Sequence, residues 1–308
     1  MNRERDVDHR LKHHADLVPG WQVWWTAIRP RTLSIAATPV IVGTMLAWAE
    51  GAVLLWPVLL ATLACALLIQ MGTNLHNDVT DFERGTDRAD RVGPLRVTAA
   101  GWASAASVRQ ATCGSFALAL VLGLYLVGQG GWPILLAGLA SLLAGWAYSG
   151  GSHPISHTAW GELVVLVFFG LVAVAGSHWL QRGIFSLDAW LYGGIVGLPA
   201  SAVLLVNNFR DIANDVRSGR RTLAARLGDA GSQRAYAVMV LAPFVIAALA
   251  AWHGHAGALL SLLALPYALS LGSQLRRTAS GVQLNGLMGA TARLGLMLGL
   301  LLSLGVFL

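Results

Sequence analysis

Residues 54–87 read LLWPVLLATLACALLIQMGTNLHNDVTDFERGTD, an apolar run that passes directly into a polar, acidic one. A helix needs about 20 mostly apolar residues to cross the hydrocarbon of a bilayer, and 54–75 supplies them. At the end of that run Asn74, Asn77, Asp78 and Asp81 recur at i, i+3, i+4 and i+7. This spacing lays four side chains along one helical face. The spanning helix therefore ends in an oxygen-rich stripe. Ionisable groups held at membrane depth are costly and usually serve a function.

The rest of the 308 residues has the same character, with 56% hydrophobic and 12% charged. A soluble domain carries about 25% charged residues, so this chain has too few to coat a globule. Its 35 glycines lie inside apolar runs, where membrane helices accept them. Disorder, collagen and a disulfide scaffold are excluded by this composition. Cys65 and Cys113 stand singly and far apart, which implies neither a thiolate metal site nor a bridge. Apolar runs at about 32–49, 54–75, 107–128, 132–149, 160–180, 188–209, 232–251, 256–273 and 286–308 predict an all-α, polytopic bundle of nine transmembrane helices. One membrane domain over 21–308 is expected, after a charged, His-rich tail at 1–20 with no cleavable signal pattern.

If nine helices alternate, the tail and the connections after the second, fourth, sixth and eighth helices share one side. Every one of the 21 basic residues except Arg182 and Arg293 then falls on that side. A miscounted helix would scatter them. The positive-inside rule makes that side, and the N-terminus, cytoplasmic. Spread over a membrane rim, the net charge of +6 suits anionic lipid heads. The lipid bilayer is thus an expected partner, whereas nucleic acid and an obligate protein partner are not.

A second acidic stripe leaves the sixth span, where Asn208, Asp211 and Asp215 share a face at i, i+3 and i+7. Overlaying the two segments pairs 74 with 208, 77 with 211, 81 with 215 and Gly85 with Gly219. Repeats related in this way often place a shared site at their junction. Carboxylates and amides are hard ligands suited to Mg²⁺, which is commonly held by one or two carboxylates plus substrate phosphates. Arg84, Arg88 and Arg91 accompany the first stripe; Arg217, Arg220 and Arg221 accompany the second. The guanidinium fork matches phosphate oxygens. Carboxylates for metal, arginines for a diphosphate and apolar helices behind them describe a site for a lipid diphosphate. Two ordinary polar helix ends at the lipid interface would not need matched spacing.

Asn77-Asp78-x-x-Asp81 followed by Asp87, with Asp211-x-x-x-Asp215, resembles the two aspartate-rich motifs of the UbiA superfamily of intramembrane prenyltransferases. Three further segments are similar to its MenA branch, the 1,4-dihydroxy-2-naphthoate polyprenyltransferases of menaquinone synthesis. They are Arg29-Pro30-Arg31-Thr32, Arg91-x-Gly93-Pro94-x-Arg96 and Gly219-Arg220-Arg221-Thr222-Leu223-Ala224-x-Arg226-Leu227-Gly228. The resemblance extends from about residue 24 to the C-terminus. It implies a UbiA-type bundle in a bacterial inner membrane with its active site toward the cytoplasm. It also implies an aromatic prenyltransferase. Such an enzyme moves a polyprenyl group from a polyprenyl diphosphate to an aromatic acceptor, with loss of diphosphate and, for the naphthoate, of CO₂.

The resemblance further implies two Mg²⁺ ions, one on Asn77, Asp78, Asp81 and Asp87 and one on Asp211 and Asp215. Arg84, Arg91, Arg220 and Arg221 would neutralise the diphosphate. Asp78, Asp81, Asp211, Asp215 and Tyr148 form the expected catalytic set, and Asn74, Asn208 and Glu162 the acceptor-binding set. Tyr148 also reads as an interface anchor, and Glu162 as a carboxylate favouring a helix N-terminus. His178 and the tryptophans read as interfacial anchors, and Arg293 as a buried, paired cation. Ser152 and His157 stand where the branch pattern carries Pro and Tyr. The Tyr-x-x-x-Lys of the 4-hydroxybenzoate enzymes is absent, because Ser152 follows Tyr148 by four. Two other readings remain. One is a related enzyme acting on 4-hydroxybenzoate, homogentisate or a specialised phenol. The other is an ion-coupled transporter, whose acids tend toward mid-membrane.

Overall fold

The computed structural model describes residues 18–86, 93–277 and 281–308, and every regular element among them is helical. Helix α1 (Gly20–Ile28) precedes the spans and was not marked by a long apolar run. It buries Val23 and Ala27 against Leu75, Val79, Val97 and Val108 while Trp21, Trp24 and Trp25 stay exposed. The spanning helices are α2 (Pro30–Ala49), α3 (Trp56–Glu83), α4 (Ala105–Gly130), α5 (Trp132–Ser149) and α6 (Gly161–Arg182). They continue with α7 (Leu187–Arg217), α8 (Leu223–Trp252), α9 (Ala256–Arg276) and α10 (Gly281–Gly305). These nine, among the described residues, are long and apolar enough to cross a membrane.

Two departures from the apolar ranges matter for the site. Helices α3 and α7 overrun their hydrophobic stretches to Glu83 and Arg217, so both acidic stripes are helix rather than loop. They finish at the same end of the bundle, here termed the acidic end. Helix α8 starts earlier than the apolar run, at Leu223, with the Thr222 hydroxyl accepting from Ala225 N–H. It bends at Gly228, whose φ is +62°.

Helix α7 is the axis of the bundle, with 78% of its spanning window buried. Its Tyr192, Ile195 and Leu205 join Leu46, Val174, Tyr236, Leu294 and Leu298 in the main core. Against it lies a π-helical turn of α6, Val167–Val172, the kind of irregularity often found beside functional sites. The contact is made of backbone. A Cβ on Gly170 would stand 2.5 Å from the Gly193 carbonyl oxygen and 2.7 Å from Gly197 Cα. Small residues permit such close approach in membranes, where packing rather than the hydrophobic effect drives association.

Leu120, Val121 and Leu124 on α4, Leu143 on α5 and Val245 on α8 are exposed, as lipid-facing positions should be. Trp48, Trp56, Trp132 and Trp252 are exposed near helix ends, which suits interfacial anchors. Two expectations need correction. His178 is fully buried rather than interfacial, because the Glu50 carboxylate gives it a partner inside the protein. Arg293 is exposed on α10 rather than buried, since Thr291 and Leu294 occupy the inward face.

Gly170→Ala is expected to destabilise the protein by about 1–3 kcal/mol, the usual cost of overpacking. Gly176→Ala on the same helix meets nothing within 4 Å and should be near neutral. Thermal unfolding in detergent checks this, and equal melting temperatures for the two variants would contradict the packing account.

Candidate active site

Helices α3 and α7 end in the same way. The Thr86 N–H donates to the Asp81 carbonyl at 3.0 Å, and the Arg220 N–H donates to the Asp215 carbonyl at 2.8 Å. Gly85 (φ +65°) and Gly219 (φ +72°) take the left-handed conformation that each turn requires. This is the helix-ending motif in which glycine avoids a Cβ penalty and late carbonyls find donors. The overlay of the two segments therefore corresponds to one repeated C-cap, with an aspartate one turn before each.

Those two aspartates, each 4% exposed, meet at Arg220. Its Nη2 donates to Asp81 Oδ1 at 2.7 Å and to Thr86 Oγ1 at 3.2 Å, while Nη1 stands 3.9 Å from Asp215 Oδ1. Arg96 approaches from the other side, Nη2 donating to Asp81 Oδ2 at 2.5 Å and Nη1 to the Asn77 carbonyl at 2.6 Å. Thr222 Oγ1 donates to Asp215 Oδ2 at 3.4 Å. A cation of the chain's own thus stands between carboxylates of the two repeats. Its Nε is buried with no partner. Oxygen donors already gathered around a positive charge are a set that a hard divalent ion fits.

The neighbouring residues sort differently from the sequence expectation. Both oxygens of Asp78, expected in the metal and catalytic sets, are taken by the returning chain. Val97 N–H and Thr98 N–H each donate to them at 3.1 Å, and the Thr98 hydroxyl adds a third bond. Asp78 is 1% exposed and anchors the segment that brings Arg96 to Asp81. Asp211 is held by the fork of Arg210, at 2.9 and 2.6 Å. The same guanidinium donates to Asn207 Oδ1 at 2.9 Å and Asn285 Oδ1 at 2.6 Å, which ties α7 to α10.

Arg84 donates to the carbonyls of Ser149 (2.7 Å) and Gly151 (2.9 Å), closing the end of α5. Arg221 is exposed, and its backbone N–H donates to the His157 carbonyl at 2.8 Å. Asp87 and Arg91 lie outside the described residues.

Asn74 Nδ2 donates to the Ile28 carbonyl and to Thr32 Oγ1, both at 3.0 Å. It thereby pins the break between α1 and α2 at Arg29. Among the described residues Arg29 is the one non-glycine with positive φ (53°). A left-handed non-glycine costs about 1–3 kcal/mol and persists only where the surroundings enforce it.

The acidic end opens into an apolar cavity of about 320 Å³. Arg29, Asn74, Asn77 and Tyr148 line its polar mouth, while Phe168, Phe169 and Leu204 are among its apolar walls. Leu126, Ile134 and Leu180 line its far part, within an apolar cluster that includes Val58. Asn208 and Glu162 stand outside the lining and bind each other, Asn208 Nδ2 donating to Glu162 Oε1 at 2.9 Å.

Three participants had no assigned role in the sequence reading: Arg96, Arg29 and His157. The first two sit in quoted motifs, and the third at a departure from the family pattern. His157 Nε2 is buried without a partner. Burial first, then the positive charges of Arg220 and Arg84, hold its imidazole down at about 4 against the opposing pull of Asp81. It is neutral at pH 7.

Comparison with known proteins decides the family. Residues 36–302 match the model of the UbiA prenyltransferase family. The chain belongs to the UbiA prenyltransferase family. It is a multi-pass intramembrane prenyltransferase. A protein of Mycobacterium tuberculosis named 1,4-dihydroxy-2-naphthoate octaprenyltransferase is 37% identical over 85% of this chain and 88% of its own length. An Escherichia coli protein of the same name is 34% identical over 93% and 96%. The fold matches a UbiA homolog from Archaeoglobus fulgidus, solved bound to GPP and Mg²⁺, with a TM-score of 0.66 at 13% identity. That match covers 91% of this chain and 99% of the other.

A buried neutral histidine contributes its full stabilisation above its unfolded value near 6.5 and loses it as pH falls toward about 4. The wild-type melting temperature should therefore drop more steeply over that interval than that of H157Q. Parallel slopes would contradict the depressed value.

Proposed function

We propose that this prenyltransferase transfers a polyprenyl group from a polyprenyl diphosphate to 1,4-dihydroxy-2-naphthoate, releasing diphosphate and CO₂ in menaquinone synthesis. The observation that carries the reading is the meeting of Asp81 and Asp215 across Arg220, joined through Arg96 to Asn77 at the polar mouth of an apolar cavity. The naphthoate reaction in the names of the two bacterial relatives supports the acceptor. The fold neighbour bound to GPP and Mg²⁺ supports the donor and the ion. The distribution of basic residues supports an acidic end facing the cytoplasm of a bacterial inner membrane.

Asn77, Asp81, Asp211 and Asp215 would hold two Mg²⁺ ions, with Asp87 added by its place in the motif. Bound Mg²⁺ supplies Lewis-acid charge at the diphosphate oxygens. Asp78 is assigned a positioning role, fixing the segment that carries Arg96. Arg29 offers a guanidinium at the mouth and Arg220 one between the two aspartates, with Arg84 and Arg221 on the adjoining segments and Arg91 added by its place in the motif. Negative charge builds on the diphosphate as the allylic C–O bond breaks, so fixed positive charge there lowers the barrier.

The allyl cation then lies at the head of a cavity that keeps water away. Tyr148 at that wall can meet it with an aromatic face. The carboxylated ring carbon of the acceptor attacks, and loss of CO₂ restores aromaticity. Glu162, whose Oε2 is buried without a partner, and Asn208 orient the acceptor, together with Asn74.

Purified protein given Mg²⁺, labelled polyprenyl diphosphate and dihydroxynaphthoate should release CO₂ and yield the prenylated ring. Turnover with 4-hydroxybenzoate or homogentisate instead would overturn the acceptor assignment. Asp81→Asn and Asp215→Asn should each lower turnover by roughly 10²-fold or more and raise the Mg²⁺ concentration required. Asp78→Asn should lower the melting temperature while leaving the Mg²⁺ requirement unchanged. The reverse pattern would exchange the roles of Asp78 and Asp81.

A further inference from the structure

At the end of the bundle opposite the acidic site, four segments bring a second set of ionisable side chains together. Glu50 closes α2, His178 and Arg182 lie on the last turns of α6, Asp188 and Tyr192 on the first turns of α7, and His255 between α8 and α9. Asp188 and Asp215 are 27 residues apart on one helix, or about 40 Å at 1.5 Å per residue. This is a place distinct from the prenyl-transfer centre. One ligand atom each from Glu50, Asp188 and His255 lies within 4.8 Å of the others. We propose that this cluster binds a Zn²⁺-class divalent ion that ties the ends of α2 and α7 to the α8–α9 turn.

The donor chemistry distinguishes it from the acidic end. An imidazole with two carboxylates is a set that zinc accepts, at about 2.0–2.2 Å from each ligand, whereas the Mg²⁺ candidates above include no histidine. Tetrahedral ligands at that range stand about 3.4 Å apart, so atoms now up to 4.8 Å apart would close by up to about 1.4 Å on binding.

The outer contacts fit a metal centre as well. His178 Nε2 is 2.9 Å from Glu50 Oε2, and Arg182 pairs with the same oxygen. Outer-shell donors of this kind orient ligating carboxylates, and their use of Oε2 leaves Oε1 for an ion. His255 Nε2 is 3.0 Å from Asp188 Oδ2. The cluster holds two carboxylates, Glu50 and Asp188, and one guanidinium, Arg182, which pairs with Glu50.

A second, independent observation points to a ligand. Tyr192 is 0% exposed, yet its hydroxyl has no hydrogen-bond partner, and Asp188 Oδ1 is likewise buried and unpaired. The tyrosine ring stands edge-on to His255 with centroids 6.1 Å apart, and its hydroxyl lies in the fields of Asp188 and Glu50. An ion-pair network alone would leave both oxygens unsatisfied in the protein interior, which is costly. A cation between them, with a coordinated water, satisfies both.

The tail carries His9, His13 and His14, which can bind zinc themselves, so the test uses full-length protein bearing H9A, H13A and H14A. Calorimetry with Zn²⁺ in saturating Mg²⁺ should give one equivalent per chain and raise the melting temperature. H255A and D188N should each weaken binding at least about tenfold and abolish that rise, while D81N should leave both unchanged. Absence of stoichiometric binding, or binding indifferent to both H255A and D188N, would overturn the proposal. If either variant fails to fold, Co²⁺ added to the tail-substituted protein decides. An intense visible band of low-coordinate Co²⁺ is expected, and only the weak band of hydrated Co²⁺ would overturn it.

Discussion

Two buried carboxylates from different halves of a membrane protein cannot be held side by side unless positive charge stands between them. Asp81 and Asp215 are in that position, and Arg220 provides the charge. The penalty for leaving either carboxylate unpaired in a poorly hydrated setting exceeds most single contacts in the bundle. The closing geometry of α3 and α7 is therefore set by an electrostatic demand as much as by packing. In the proposed function the same demand would prepare the site for a divalent ion and a diphosphate, because oxygens already arranged around one cation need little rearrangement to accept another.

Much of the surrounding structure serves this meeting. Asp78 binds the returning chain and so delivers Arg96 to the far oxygen of Asp81. Asn74 holds the strained turn that puts Arg29 at the cavity mouth. The Gly170–Gly193 contact lets the π-helical turn press on α7, so Phe168 and Phe169 form cavity wall. Local strain at the rim is supported by dense packing along α7, the most buried helix.

The helices and the paired motifs were readable from sequence because both signals are local. A spanning run needs only composition and length, and a stripe at i, i+3, i+4 and i+7 needs only helical periodicity. What stayed hidden depends on contacts between distant positions. Nothing local separates Asp78 from Asp81, since both lie on the same stripe; the difference is made by Val97 and Thr98, about twenty residues on. The partnership of His178 with Glu50 spans 128 positions, so a histidine near a helix end read as an interface anchor. Helix α1 escaped because its nine residues are too few to register as a span. The departure at His157 was visible, but its unpartnered ring nitrogen was not.

The central claim, that the two repeats grip one diphosphate, is tested most directly by an experimental structure with Mg²⁺ and a non-cleavable polyprenyl diphosphate analogue. The account predicts diphosphate and metal density between Asp81 and Asp215, Arg220 turned onto phosphate oxygens, and the prenyl chain descending toward Leu126 and Ile134. Diphosphate density elsewhere, with Arg220 still bridging the two aspartates, would contradict it.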